Sequence, residues 1–108
     1  MRLDRMKVIL DECLPKRLIR YLPNYEVTTV PLAGLAGYTN GKLLVAIERD
    51  FDVFLTIDSN LSAQQNLQGI ELIIVVIRAQ SNRIEDLIPL APRIIDAIEN
   101  GKGTVRYA

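Results

Sequence analysis

The chain contains no histidine. That absence excludes Ser-His-Asp and Cys-His triads, histidine acid–base pairs and histidine metal ligands. It has a single cysteine, Cys13, which excludes a disulfide within the chain and a cysteine-rich zinc site. Long apolar runs are also missing. The longest, Leu72 to Ile77, spans six residues, against the roughly 20 that a membrane-spanning helix needs. The basic start, MRLDRMKVIL, is followed by no small-residue cleavage site, so no signal peptide is expected and the expected location is the cytoplasm. Charge of one sign is lacking as well: 13 basic and 13 acidic residues cancel, which removes any global nucleic-acid signature. Carboxylates are left to carry any chemistry, and they pair best with an oxygen-preferring metal such as Mg²⁺ or Mn²⁺.

A length of 108 residues sets the expectation of one domain over 1–108, and 49 % apolar residues suffice for a single core. Lys7 to Leu10 reads as a buried strand. Leu14, Leu18 and Leu22 repeat every four residues and predict a helix, with Pro15 in its first turn, where a missing N–H costs nothing. Glu26 to Val30 is a second strand, rich in β-branched residues. The stretch PLAGLAGYTNG reads as a loop, after which Thr39 or Asn40 can cap a helix carrying Leu43, Leu44 and Ile47. Asp52 to Ile57 and Ile70 to Ile77 are the third and fourth strands, the latter apolar almost throughout, as a central parallel strand is. Ser81 and Asn82 are candidate caps for a last helical region, which Pro89 and Pro92 divide into a short turn and a helix from about Leu90 to Glu99. TVRYA reads as a terminal edge strand. Strands alternating with helices predict an α/β fold with a mainly parallel sheet.

Two of these strands run straight into carboxylates. VILDECLP passes from an apolar strand to Asp11 and Glu12, and DVFLTI ends at Asp58. In parallel α/β sheets, ligands bind beyond the carboxyl ends of the strands. In a 2-1-3-4 strand order Asp11 and Asp58 converge, and converging carboxylates repel unless a positive charge lies between them. A divalent metal answers that need; capping of the following turn is the other use of an aspartate at a strand end.

The segments VILDECLPKRL, NGKLL, FDVFLTIDSNLSAQQNL and SNRIEDLIPL, in this order and spacing, resemble the small PIN-like proteins related to VapC-type toxins. The resemblance runs over nearly the whole chain and is most specific at Leu10-Asp11-Glu12-x-Leu14-Pro15 and Leu55-Thr56-Ile57-Asp58. It implies a compact PIN-like three-layer fold with a mainly parallel sheet of four to five strands. It also implies a metal-dependent endoribonuclease, the toxin of a toxin–antitoxin pair, with Mg²⁺ or Mn²⁺ at an acidic cluster on the carboxyl edge of the sheet. Asp11 and Asp58 are then the metal ligands and catalytic carboxylates, with Glu12 as an assisting carboxylate. The partners so implied are RNA and a small antitoxin-like protein.

The chain departs from that pattern in places. Where many PIN-like relatives carry an acidic residue at the start of the helix after the loop, this sequence reads Asn40-Gly41-Lys42. Where many have a second Asp two residues after the position of Asp58, it has Asn60, whose carbonyl oxygen still suits a metal. Lys42 would compete with a cation. The expected contacts to RNA are Lys16, Arg17 and Arg20, on the outer face of the helix leaving Asp11, together with Asn40, Gln64 and Gln65; a solvated face and a polar loop are the plainer uses of the same residues. The alternative to the nuclease is a PIN-like scaffold that binds a small protein or a second copy of itself. The many Ile and Leu residues of IELIIVVI and LIPLAPRIIDAI either fill the core or face such a partner.

Overall fold

The computed structural model describes residues 5–38, 40–58 and 69–108; for Asn40 it describes the backbone alone. The expected sites at Asn60, Gln64 and Gln65, and the candidate cap Thr39, lie outside the described residues.

Five short strands form one all-parallel sheet: β1 (Lys7–Leu10), β2 (Glu26–Thr29), β3 (Val53–Thr56), β4 (Ile73–Val76) and β5 (Val105–Tyr107), in the order β2-β1-β3-β4-β5. The 2-1-3-4 order that would bring Asp11 and Asp58 to neighbouring strand ends is therefore present, and TVRYA adds a fifth, parallel strand at the edge. In register, Val8 lies beside Val27 and Val53, and Leu10 beside Thr29 and Leu55. Hydrogen bonds extend the ladder past the strand ends: the Asp11 N–H donates to the Leu55 carbonyl (2.9 Å) and the Val30 N–H to the Leu10 carbonyl (2.9 Å).

Alternation along each strand sends apolar side chains to both faces, as a fully covered parallel sheet requires. Val8, Leu10, Val53, Leu55, Val75 and Ile77 pack on one face against Leu14, Leu18 and Leu22, Leu87, and Ile94, Ala97 and Ile98. Ile9, Phe54, Ile74 and Val76 pack on the other against Leu43, Leu44 and Ile47 of α1 (Asn40–Ile47). The first face is covered by a 3-10 helix (Lys16–Tyr21), by the single turn α2 (Ile84–Leu87), and by α3 (Ala91–Asn100), which a 3-10 turn (Ile88–Leu90) links to α2. Most aliphatic residues of IELIIVVI and LIPLAPRIIDAI pack into these two clusters, with Ile70, Ile73, Leu90 and Ile95 half-buried. The large apolar side chains left exposed among the described residues are Tyr21, Leu32, Tyr38, Val45 and Tyr107, none of them from those two segments.

Two local expectations are corrected. The helix expected over Leu14 to Leu22 is a 3-10 helix beginning at Lys16, and Pro15 is its extended N-cap (φ −73°, ψ 140°) rather than part of its first turn. Leu14 is instead held by a turn, its N–H donating to the Asp11 carbonyl (2.9 Å). Three residues per turn still bury Leu18 and leave Lys16, Arg17 and Arg20 exposed. Neither candidate cap takes that place, since the N-cap of α2 is Arg83, with no side-chain cap hydrogen bond; Ser81 instead accepts the Arg83 N–H (3.0 Å) and donates to Asp86 Oδ2 (2.6 Å). Asn82 bonds elsewhere. No helix among the described residues is long and apolar enough to cross a membrane.

Candidate functional site

β1 and β3 are adjacent and parallel, so their carboxyl ends open on the same edge of the sheet. Asp11 follows β1 and Asp58 lies two residues beyond the end of β3; both are half-buried. Thr56, the last residue of β3, lies between them and is fully buried. A buried hydroxyl must find partners. Thr56 Oγ1 donates to Asp11 Oδ2 at 2.6 Å, and the same oxygen accepts the Asp58 N–H at 3.0 Å. The other oxygen of Asp11, Oδ1, accepts the Glu12 N–H at 2.8 Å. The Asp11 carboxylate is thus held from two sides, by the strand next door and by its own chain. The Cys13 thiol bonds to the same carboxylate; a carboxylate has about four lone-pair sites, so acceptor capacity remains.

Glu12 is exposed, and its main chain rather than its carboxylate is what meets Asp11. Cys13 is half-buried against the same site. Burial pushes its thiol above the ordinary value of 9.0; the Ile57 backbone opposes this and the Asp11 charge adds to it. At neutral pH Cys13 is therefore a thiol, not a nucleophilic thiolate. Asn82 Nδ2 donates to the Cys13 carbonyl at 2.9 Å, tying the loop after β4 to the loop after β1.

The expected RNA contacts Lys16, Arg17 and Arg20 follow directly on this loop, all exposed. Asn40 is the first residue of α1. Lys42, the cation that would compete with a metal, has its ammonium over the Tyr38 ring, 4.8 Å from the centroid. Among the described residues no group of three or more His, Cys, Asp or Glu side chains could hold a metal ion. Asp11 and Asp58 bring carboxylates to neighbouring strand ends, and carboxylate oxygens are the hard donors that Mg²⁺ or Mn²⁺ prefers.

The sequence alone assigns no role to the Thr56 hydroxyl or to the Asn82 cross-link. Thr56 carried a signal, as the one hydroxyl in the buried run VFLT. Asn82 carried none, because its partner is 69 residues away. Compared with known proteins, the chain matches no family model, no curated protein and no solved structure.

Proposed function

We propose that this chain is a metal-dependent endoribonuclease of the PIN-like type. The observation that supports the reading is the Thr56 bridge: one buried hydroxyl bonds the Asp11 carboxylate and the Asp58 main-chain N–H, at the carboxyl ends of two adjacent parallel strands. The strand order and the helical cover on both faces agree with a PIN-like three-layer arrangement.

Mg²⁺ or Mn²⁺ would be held by Asp11 and Asp58, with the Asn60 amide oxygen as the expected third donor. When bound, such an ion lowers the pKa of water and offsets charge that develops on a phosphodiester. The chain's own residues orient the reaction. Thr56 and the Glu12 N–H fix the Asp11 carboxylate, as groups behind a metal ligand do. Lys16, Arg17 and Arg20 take RNA phosphates beside it. With no net charge overall, binding rests on a few local contacts and falls steeply with salt. In the cell, the natural partner on this reading is a small antitoxin-like protein.

The test is cleavage of total RNA by the purified protein with Mg²⁺ or Mn²⁺, beside Asp11→Asn and Asp58→Asn. Metal-dependent cleavage that each substitution lowers by about 100-fold or more is the expected result, the scale of losing one charge-stabilising group. Cleavage that survives both substitutions, or no cleavage by any folded form, refutes the reading. The second outcome would leave a scaffold for a small protein or a second copy of the chain.

A further inference from the structure

The carboxylate site accounts for only half of the sheet's carboxyl edge. Beyond Asp58 the next strands along that edge are β4 and β5. Arg78 follows β4, and its N–H donates to the Ala108 carbonyl (3.0 Å) just past the end of β5. Two grooves meet at Arg78. One, of about 480 Å³, reaches back to Ile57, the neighbour of Asp58. The other, of about 520 Å³, runs between α3 and β5 and is lined by Arg93, Lys102, Arg106 and Tyr107 as well as Arg78. Among the described residues, Asp96 is the single acidic side chain lining this second groove. A chain without net charge therefore gathers four of its 13 basic residues in one groove.

These cations differ in what they do. Arg106 closes the C-terminus of α3: its Nη1 donates to the Ala97 (3.0 Å) and Ile98 (2.8 Å) carbonyls, and its Nε to Gly103 (3.0 Å). Arg93 and Lys102 are exposed. Arg78 lies over the Tyr107 ring, 5.6 Å from the centroid, and Tyr107 is 50 % exposed. A half-exposed aromatic ring in a groove lined by cations is the combination that single-stranded nucleic acids use, with phosphates on the cations and a base on the ring. From β3 to β5 is two strand spacings, about 10 Å, a span that a short piece of extended strand covers.

We infer that the groove between α3 and β5 binds single-stranded RNA, with Arg78, Arg93 and Lys102 taking phosphates and Tyr107 stacking a base, and leads the strand along the sheet edge to Asp58 and Asp11. Naming the ligand as RNA rests on the nuclease reading; the groove itself does not.

The test is fluorescence anisotropy of a short labelled oligouridylate with the full chain in EDTA, where binding is read without cleavage. Arg78→Ala with Arg93→Ala should weaken binding several-fold and reduce the salt slope by about 0.7 per lost phosphate contact. Tyr107→Ala should weaken it about 5- to 100-fold, the range for loss of one stacked base, while Tyr107→Phe retains it. Arg93→Ala and Lys102→Ala, both at exposed positions, keep the experiment meaningful if the Arg78 or Tyr107 variants unfold. RNA binding that depends on the groove, from a protein that cleaves nothing, supports this inference and refutes the nuclease reading. Cleavage with binding indifferent to every groove variant does the reverse. No RNA binding by the unaltered chain overturns the inference outright.

Discussion

Thr56 donates its hydroxyl to Asp11 across the gap between two neighbouring strands, at 2.6 Å. The same oxygen receives the Asp58 N–H at 3.0 Å, so one buried atom sets the relation between two carboxylate-bearing residues. Replacing Thr56 by Val keeps the shape and deletes both contacts. A hydrogen bond to a charged group contributes about 1.5–3 kcal/mol. Thr56→Val should lose stability on that scale in urea titration and, on the nuclease reading proposed above, lose RNA cleavage with it. Thr56→Ser, which keeps the hydroxyl, should recover most of the cleavage.

Phe54 is 1 % exposed in the core between the sheet and α1. Phe54→Ala leaves a cavity that Leu43, Leu44 and Ile47 cannot fill without moving. The expected cost is about 3–5 kcal/mol, read from the urea midpoint at unchanged slope. That is a large share of the stability of a domain this size.

Gly101 follows α3 in an extended conformation, and its necessity is one of space. A Cβ there would lie 2.5 Å from the Ala97 carbonyl oxygen and 2.6 Å from Arg106 Cδ. Neither can yield easily: the carbonyl accepts the Gly101 N–H (3.1 Å), and Arg106 is held by three carbonyls. Gly101→Ala should cost about 1–3 kcal/mol, as overpacking does, and thermal denaturation will show it as a lowered Tm.

Tyr25 is buried, and burial first, then the charge and hydrogen bond of Glu99, push its phenol from 10.0 up to about 12. The folded state thus favours the neutral phenol. Its stabilising contribution is full below the unfolded value of 10.0 and is lost as pH rises through about 12. Tm measured against pH should fall over that window in the unaltered chain. Tyr25→Phe should flatten the part of the fall that this residue causes.

The strands were legible because apolar pattern is a local property. Lys7 to Leu10 is a strand with the bounds expected of it, and the expected Asp52–Ile57 and Ile70–Ile77 strands contain the shorter β3 and β4. Asp11 and Asp58 stood out for the same reason: a carboxylate at the end of a buried run is visible in the sequence alone. The helix after Asp11 was legible as an amphipathic segment but not as a 3-10 helix. Leucines four apart suit an α-helix, and the tighter winding is settled by the Asp11–Leu14 turn and the extended Pro15 that precede it.

Composition and spacing determine that the chain has no histidine and that two aspartates lie at strand ends, because residue type and hydrophobic period are written along the chain. They do not determine that Thr56 bridges Asp11 and Asp58, that Asn82 holds Cys13, or that Arg78 meets Tyr107 over a basic groove. Those contacts join residues 45, 69 and 29 positions apart. They exist because strand order and the packing of both sheet faces bring separate segments to one edge, a choice made by the burial of the whole core and by no single segment of it.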